Sequence, residues 1–315
     1  MKIIQRKIKT VIKDPSSILV VGLQIISPIL SDKYYLKMLF PLRTGYKLDL
    51  DNPQTYNAKL QWLKLNYRRD EMTKMVDKYE AKEFAREIIG DEYIIENYGI
   101  WNSFNEIDFN ILPNQFVLKT THDQGGVILV RDKSVLDQKM AQRKLEKHLK
   151  RKHYYLGREW PYKNVKPRIL AEKFLSYDNK TRPNDYKLYC FNGEPKVLLI
   201  ATDRETLKPK FNYFDLDFKP IDLQQGGERN SEIFLKPSCF FKMINLAKLL
   251  SKGLPHVRVD FYCIGESVYF GEMTFFDSGG MAKFYPEKWD KIWGSWIDLG
   301  NVIDKKNNLN NKYNV

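Results

Sequence analysis

The sequence FGEMTFFDSGGM, from Phe270 to Met281, carries the pattern on which the fold assignment depends. One acid, Glu272, stands where an apolar strand is predicted to end, and a Ser-Gly-Gly turn follows a few residues later. Upstream, a second acid, Asp260, lies within another strand-like run, HVRVDFYCIG. The two strands are either a hairpin with two chance surface carboxylates or two arms of a metal site.

Residue spacing on these strands is compatible with a metal site, although each acid taken alone is more often a surface charge. Residues i and i+2 of a strand point to the same face, so Arg258 shares a face with Asp260, and Glu272 shares a face with Thr274. Carboxylates on neighbouring strands can hold Mg²⁺, which prefers oxygen ligands and keeps substrate phosphates in its shell. An arginine beside a metal-binding aspartate is suited to stabilise a phosphoryl group during transfer.

An upstream hairpin supplies a second half of the predicted site. In NQFVLKTTHDQGGVILVRD, a strand ends at Lys119, a flexible polar loop contains Gly125 and Gly126, and a second strand covers 127–130. A lysine beside a glycine-containing loop can neutralise a phosphate, and loop N–H groups can complete the cradle. The sequence contains no GxxxxGK[ST] or GxGxxG motif, which argues against a P-loop or a Rossmann site.

Other segments give the remaining elements. A helix follows Asn52-Pro53, and a second helix begins near Asp77 and stops at Gly90. The turn Asn192-Gly193 between two apolar runs indicates a hairpin. An amphipathic helix is predicted to end at Gly253, and the first 110 residues are predicted to form an α+β unit.

Charge restricts the partners. The chain has 315 residues and a net charge of +13, so we expect an anionic partner: nucleic acid, an anionic membrane or a phosphorylated or carboxylated substrate. A basic helix over 134–152, with Ser134 as its cap, is either a solvated face or an anion platform. Tyr154, Tyr155 and Trp160 follow this helix and could stack on bases, so a nucleic-acid surface stays open as the weaker alternative.

The N-terminus allows two interpretations. An apolar run over 18–30 is interrupted by polar residues and proline, lacks a convincing cleavage site and is too short to cross a bilayer. It is either an ordinary buried helix or a segment that contacts the inner face of the membrane. The preceding thirteen residues are basic, with Lys2, Arg6, Lys7, Lys9 and Lys13.

Cysteine content and the C-terminus complete the local predictions. Cys190, Cys239 and Cys263 are widely spaced, cannot form a full disulfide set and lack zinc spacing. We therefore expect buried thiols in a reducing compartment, and a cytoplasmic location. The polar tail over 301–315 is predicted to be disordered.

Several motifs together resemble a known family. ILAEKFL, VRVDFY and YFGEMTFFDSGGM are similar to the ATP-grasp superfamily, which includes D-alanine–D-alanine ligase. NQFVLKTTHDQGG, REWPYKNVKPRILAEKFL, DYKLYCFNGEPKV and GEMTFF more closely resemble the TupA-like ATP-grasp proteins of bacterial surface-polysaccharide gene clusters. The resemblance extends roughly over residues 35–300.

The resemblance implies an α+β protein with the ATP-grasp fold. The nucleotide would lie between two α+β subdomains, preceded by a smaller N-terminal α/β unit. The implied division is a basic and amphipathic segment at 1–45, the N-terminal α/β subdomain at 46–115, the small ATP-grasp subdomain at 116–174, the large one at 175–300 and the tail at 301–315.

The resemblance also implies nucleotide-binding roles. Lys119 would bind the α- and β-phosphates of ATP, and Gly125 and Gly126 would lie in a mobile loop over them. Asp185 falls near the position of a ribose-binding acid, although the intervening loop makes that alignment loose. The adenine would be bound by an interdomain hinge formed by Glu172, Lys173, Phe174 and Leu175.

The implied catalytic and metal-binding residues come from three later strands. Lys187 would face the phosphates, and Arg258 would stabilise the transferring phosphoryl group. Asp260 and Glu272 would ligate Mg²⁺, with Glu272 able to bridge two ions. Thr274 stands where the superfamily usually has Asn, and a hydroxyl is a weaker ligand, which puts a second ion in doubt. The DSGGM turn resembles the substrate-side turn of the ligases, whose N–H groups can form an oxyanion hole.

The resemblance implies an ATP-dependent carboxylate–amine ligase that forms an acyl phosphate and acts in cell-surface polysaccharide biosynthesis, on a capsule, O-antigen or teichuronic-type polymer. Its substrates would be an anionic saccharide or lipid-linked glycan and an amine or amino acid. The alternatives are a glycosyltransferase or a sugar or polyol kinase of the same pathway. A non-catalytic nucleic-acid or membrane-surface binder is a third hypothesis.

Overall fold

The computed structural model describes residues 16–178, 181–204, 206, 208–300 and 302. Two antiparallel sheets and their flanking helices confirm the predicted α+β class. The basic residues at the N-terminus lie outside the described residues. The predicted disordered tail also lies outside them, apart from Val302.

Helices occupy most of residues 16–90 and connect later strands. Their bounds are α1 Ser16–Ile26, α2 Asp32–Thr44, α3 Tyr56–Asn66, α4 Glu71–Val76, α5 Glu80–Ile89, α6 Gln138–Leu149, α7 Tyr154–Gly157, α8 Phe240–Ser251 and α9 Lys288–Trp296.

A four-stranded sheet, here called the small sheet, has the strand order β1-β4-β2-β3. Its strands are β1 Asn97–Trp101, β2 Phe116–Thr120, β3 Val127–Val130 and β4 Ile169–Lys173. The β2–β3 hairpin forms as predicted, and β2 continues one residue beyond Lys119. Strand β1 pairs with β4, so the sheet includes residues on both sides of the predicted boundary at 115. The domain boundaries themselves stay a prediction.

A five-stranded sheet, here called the large sheet, has the order β7-β6-β5-β8-β9. Its strands are β5 Asp185–Phe191, β6 Glu194–Thr202, β7 Lys210–Phe214, β8 His256–Ile264 and β9 Ser267–Thr274. The predicted turn joins β5 to β6, with Asn192 at φ 50° and Gly193 at φ 83°. Positive φ at both turn residues is typical of tight hairpins, so the Asn-Gly prediction is confirmed.

The two faces of the large sheet are covered differently. Helix α8 packs across β5, β6 and β8, where residues such as Leu188 and Cys190 are fully buried. On the other face, Tyr189, Phe191 and His256 pack with Tyr56 of α3 and Trp293 of α9. This aromatic cluster covers one end of the face and leaves the other end for polar residues of β5, β8 and β9.

Two expectations about local structure were wrong. The basic helix begins at Gln138, where the Asp137 side chain accepts a hydrogen bond from the Met140 amide at 2.9 Å, and Ser134 lies in a preceding 3₁₀ turn. Cys239 and Cys263 form a disulfide, whereas Cys190 is a free buried thiol as predicted. Cys239 immediately precedes α8 and Cys263 is on β8, and packing of the helix on this strand brings together cysteines that the sequence separates by 24 residues.

The buried His256 predicts an acid-sensitive fold. Its Nδ1 lies 2.9 Å from the Cys190 carbonyl and must donate to it, so its Nε2 accepts from the Tyr56 hydroxyl at 3.0 Å. Burial lowers the pKa of His256 from 6.5 to about 3. The unfolded chain therefore binds a proton that the folded protein excludes as the pH falls from 6.5 toward 3.

We expect this histidine to contribute a loss of stability of up to about 1.4 kcal/mol per pH unit over that interval, and no change above it. Urea denaturation at a series of pH values gives the free energy of unfolding as a function of pH. Below pH 6.5 this free energy should fall less steeply with decreasing pH for His256→Gln than for the wild type. The control is Glu266→Gln, which changes an exposed residue on the β8–β9 turn. Its free energy of unfolding should keep the wild-type dependence on pH. Equal slopes for all three proteins would refute the assignment.

Candidate active site

A row of charged side chains crosses the large sheet. The strand register places Lys187 opposite Asp260, and Asp260 opposite Glu272. Two residues along, Tyr189, Arg258 and Thr274 form the next row on the same face. The predicted face-sharing of Arg258 with Asp260 and of Glu272 with Thr274 is therefore present, and β5 adds Lys187 to the same surface.

Arg258 lies at the centre of this network. Its Nε and Nη2 contact the two carboxylate oxygens of Asp260 at 2.7 and 2.8 Å. Nη2 also donates to Glu272 at 3.0 Å and to the Thr274 hydroxyl at 3.2 Å, and Nη1 donates to Asp277. Such a paired contact fixes the plane of a guanidinium as well as its position.

Two cations hold Asp260 ionised. Burial opposes the ionisation, but Arg258 and Lys187 lower the pKa of this carboxyl to about 2. Lys187 donates a hydrogen bond to the second oxygen of Asp260 and lies 3.7 Å from Asp185. Glu272 differs from these buried groups because its side chain is 41% exposed, so it faces the space above the sheet.

A second network lies on the small sheet. Glu172 on β4 contacts Lys119 at 2.6 Å and Lys82 of α5 at 2.7 Å. Burial opposes its ionisation, but the two lysines lower the pKa of Glu172 to about 2, while burial lowers the pKa of Lys82 to about 8. The contact with Glu172 fixes the position of the Lys119 ammonium.

The glycine loop is anchored along most of its length. Thr120, Thr121, His122 and Asp123 are buried, and Asp123 accepts from Thr120 and from His148 of α6. The exposed part of the loop is therefore confined to 124–125, which is less than the flexible loop expected from the sequence.

Lys78 lies directly beside this loop. Its ammonium donates to the Asp123 carbonyl, and burial lowers the pKa of Lys78, opposed by the nearby charge of Glu272. Lys78 therefore faces both halves of the site. Sequence reasoning missed Lys78 and Lys82, because the helical segment that carries them gave no pattern beyond an amphipathic helix.

The two networks face one cleft of about 320 Å³ between the sheets. Val117, Val127 and Leu129 of the small sheet and Ile95 give it an apolar wall. Ten of the predicted site residues line the cleft: Lys119, Gly125, Glu172, Lys173, Phe174, Leu175, Asp185, Lys187, Asp260 and Glu272. Arg258 and Thr274 lie behind this lining and contact Asp260 and Glu272, which form it, whereas Gly126 is buried next to the lining residue Gly125.

The predicted hinge and ribose positions lie at one end of the cleft. β4 ends at Lys173, which is exposed, and Phe174 is buried with the Arg131 guanidinium 5.4 Å from its ring centre. Asp185 contacts Arg204 at 2.8 Å and is 4% exposed. Arg182 and Arg204 also line this end, so the predicted ribose acid lies among cations.

The glycine turn after β9 is held by α3. Ser278, Gly279 and Gly280 have φ values of 52°, 65° and 62°. Lys64 of α3 donates to the Gly279 carbonyl at 2.7 Å, and Gln61 donates to the Gly280 carbonyl at 2.7 Å. Three consecutive left-handed residues require outside support, which these side chains provide.

Gly280 is the position in this turn where a side chain is least tolerable. An added Cβ would lie 2.7 Å from Gln61 Nε2 and 2.8 Å from Leu60 Cβ. We expect Gly280→Ala to reduce the free energy of unfolding by about 1–2 kcal/mol from the left-handed backbone and by about 1–3 kcal/mol more from overlap.

Gly253→Ala is a matched control, since Gly253 has φ 77° and nothing lies within 4 Å of an added Cβ. Urea denaturation of both variants separates the backbone term from the overlap term. A Gly280→Ala loss no larger than the Gly253→Ala loss would show that the contact with α3 is unimportant.

The predicted metal ligands fit Mg²⁺ as a pair once Lys187 leaves Asp260, because Arg258 and Lys187 engage both oxygens of that carboxylate in this structure. Asp260 and Glu272 occupy opposed positions on adjacent strands, and the Thr274 hydroxyl lies 3.4 Å from Glu272. The described part of the chain brings together no group of three or more His, Cys, Asp or Glu that could hold a metal. Mg²⁺ is commonly held by one or two carboxylates plus water and substrate phosphates, so these two acids suit it when a phosphate completes the shell.

Comparison with protein families gives one match: residues 58–298 match the family model described as TupA-like ATPgrasp. A comparison with curated proteins finds no match.

Solved structures similar to the chain include several ATP-grasp enzymes. The D-alanine–D-alanine ligase from Bacillus anthracis complexed with ATP is 13% identical, with 64% of this chain and 53% of that chain covered and a TM-score of 0.38. Another structure of the same ligase is 17% identical, with 76% and 69% covered and a TM-score of 0.43. The ATP-grasp ligase PsnB, complexed with a phosphomimetic variant of its minimal precursor, Mg and ADP, is 11% identical, with 69% and 57% covered and a TM-score of 0.39. The chain thus spans about half the length of the first of these structures.

Proposed function

Because the chain belongs to the TupA-like ATP-grasp family, we propose that it is an ATP-dependent carboxylate–amine ligase. The observation that carries this proposal is the cleft in which Lys119 and Lys78 face Asp260 and Glu272. Paired cations and paired carboxylates across one cavity suit a metal-bound polyphosphate better than any uncharged ligand.

The nucleotide would bind across the two sheets. The apolar wall with Val117 and Leu129, continued by the hinge at 173–175, would hold the adenine, and Lys119 would contact the phosphates. The contact with Glu172 supports this role, because it fixes the Lys119 ammonium in the cleft. Asp185 and its arginine neighbours would lie beside the ribose.

Asp260 and Glu272 would hold Mg²⁺ at the other end of the nucleotide. The bound ion would neutralise phosphate charge and favour transfer of the terminal phosphoryl group. Lys187 would then exchange its contact with Asp260 for contact with a phosphate oxygen. The clamp from Arg258 keeps Asp260 oriented during that exchange, since it contacts both carboxylate oxygens.

The reaction would proceed in two steps. A substrate carboxylate oxygen bonds to the γ-phosphorus of ATP while the bond from that phosphorus to the β–γ bridging oxygen breaks. The products of this step are ADP and an acyl phosphate. An amine then attacks the acyl carbon, phosphate leaves, and the nitrogen loses a proton to give an amide. Amide N–H groups of the turn at 277–280 would stabilise the oxyanion of the second step.

We further propose an anionic saccharide or lipid-linked glycan of the bacterial cell surface as one substrate, and an amine or amino acid as the other. The basic balance of the chain and the presence of both Lys78 and Lys119 in the cleft lining support an anionic acceptor. A uronic acid or an amino acid on a capsule, O-antigen or teichuronic-type polymer provides the required carboxylate.

An isotope experiment tests the reaction type. The purified protein is incubated with ATP, Mg²⁺, glucuronic or galacturonic acid labelled with ¹⁸O in the carboxylate, and a mixture of amino acids. We expect ADP formation that requires both the acid and the amine, with one ¹⁸O transferred to the released phosphate. Glu272→Gln is the inactive control.

Other outcomes would identify the alternatives. ADP formation with a neutral sugar or polyol alone, without release of phosphate, would indicate a kinase. Turnover of a nucleotide-sugar without ATP would indicate a glycosyltransferase. Either result would contradict the ligase proposal.

A further inference from the structure

Helix α1 exposes an apolar surface that the rest of the described protein does not cover. Every residue of α1 classed as exposed is apolar or glycine, and Ile25 is 74% exposed. The opposite side of α1 is also apolar, because Val20 and Leu23 are buried against α2. The exposed residues, here called the α1 patch, are Ile18, Leu19, Val21, Ile25, Ile26 and Ile29.

The geometry of the helix makes this patch continuous. Residues 18, 21, 22 and 25 recur at the spacing of one helix face, and residues 19 and 26 extend that face to one side. Ile29, in the 3₁₀ turn that follows α1, is 84% exposed. The polar residues of α1 are Ser16, Ser17 and Gln24, and the others are apolar or glycine. A helix that is apolar on most sides is normally buried within a protein or in contact with lipid, and in α1 the described chain buries one side only.

The patch is held firmly against the body of the protein. Arg158, itself 1% exposed, donates to the Ser27 and Leu30 carbonyls just after α1. Its guanidinium also lies 3.2 Å from Asp32 and stacks 4.5 Å from the ring centre of Tyr35 in α2. The buried Arg158 side chain therefore helps to hold the end of α1 against the protein, with the α1 patch facing outward.

Basic residues accompany the patch. Lys33 and Lys37 of α2 are exposed, and the nearby Tyr34 and Met38 are 69% and 50% exposed. The fifteen residues before α1 contain five lysines and arginines and one acid, Asp14. Exposed apolar side chains next to basic ones favour a binding partner that has an anionic surface and an apolar interior.

We propose that the α1 patch binds the surface of an anionic lipid bilayer, with α1 lying in the plane of the interface. A helix of 11 residues is about 16 Å long, roughly half of a bilayer's hydrocarbon core. Among the residues that the structure describes, no helix is long and apolar enough to cross a membrane. Burial of an apolar face with lysines at the headgroup level is the usual form of such interfacial binding.

Vesicle co-sedimentation tests this proposal independently of any catalytic activity. The full chain is mixed with vesicles of phosphatidylcholine alone or of phosphatidylcholine and phosphatidylglycerol at three to one. We expect binding to the second kind that weakens as salt increases, and we expect Ile25→Asp/Ile29→Asp to weaken it by about tenfold or more.

The matched control is Ile233→Asp/Leu235→Asp, which places the same charges on residues that are 91% and 85% exposed elsewhere. This variant should bind like the wild type, and thermal denaturation should show that both variants fold. Absence of binding by the wild type, or equal loss in both variants, would overturn the proposal. A dimer in light scattering that only the α1 variant dissociates, without vesicle binding, would instead identify a second copy of the chain as the occupant.

Discussion

Replacing Arg258 with Met is expected to lower kcat by about a thousandfold, because an arginine beside a transferring phosphoryl group supplies several kcal/mol of electrostatic stabilisation. Arg258 also orients Asp260 through two contacts and reaches Glu272 and Asp277. Its removal therefore affects both the charge and the arrangement of the acids. The measurement is steady-state ADP release with saturating ATP and Mg²⁺.

Loss of the fold must be separated from loss of catalysis. Arg258→Met leaves buried Asp260 with Lys187 as its remaining cation, so denaturation by urea is measured alongside activity. Arg258→Lys keeps the charge but loses the planar paired contact, and we expect it to retain more stability while kcat still falls about ten- to a hundredfold. Wild-type kcat in a folded Arg258→Met protein would contradict the role assigned to Arg258.

Glu272→Gln is expected to produce a comparable loss of kcat, of about a thousandfold, and to raise the Mg²⁺ concentration needed for half-maximal activity. The carboxylate carries a full negative charge for the ion, whereas an amide offers one neutral oxygen. Because the Glu272 side chain is 41% exposed, this substitution should change the free energy of unfolding by less than about 1 kcal/mol.

Glu266→Gln, on the exposed β8–β9 turn, is the matched control for charge and residue type. It should leave both kcat and the Mg²⁺ dependence unchanged. If Glu272→Gln shifted activity without shifting the Mg²⁺ dependence, Glu272 would contact the substrate rather than the ion.

Much of the large-sheet site could be predicted from local sequence. The two-residue periodicity of a strand was enough to place Arg258 beside Asp260, and an apolar alternation with the Asn-Gly turn was enough to define β5 and β6. These features depend on neighbours within a few residues. The register between strands was not predicted, and the structure shows it by placing Lys187 opposite Asp260.

Features that depend on distant packing could not be predicted. Lys82 is 90 residues from Glu172, and Lys78 is 45 residues from the Asp123 carbonyl that it contacts. Neither contact leaves a pattern in one sequence. The Cys239–Cys263 disulfide has the same origin, since it needs α8 to pack on β8. The glycine loop appeared flexible because its sequence is polar, whereas Asp123 binds it to α6.

The most direct test of the central claim is calorimetric titration of the protein with ATP in the presence of Mg²⁺, beside a parallel titration with nucleotide-sugars. We predict one ATP site, weakened when Mg²⁺ is removed and abolished by Lys119→Met, and no binding of nucleotide-sugars. Tight binding of a nucleotide-sugar together with no heat from ATP would contradict the assignment of this cleft to ATP.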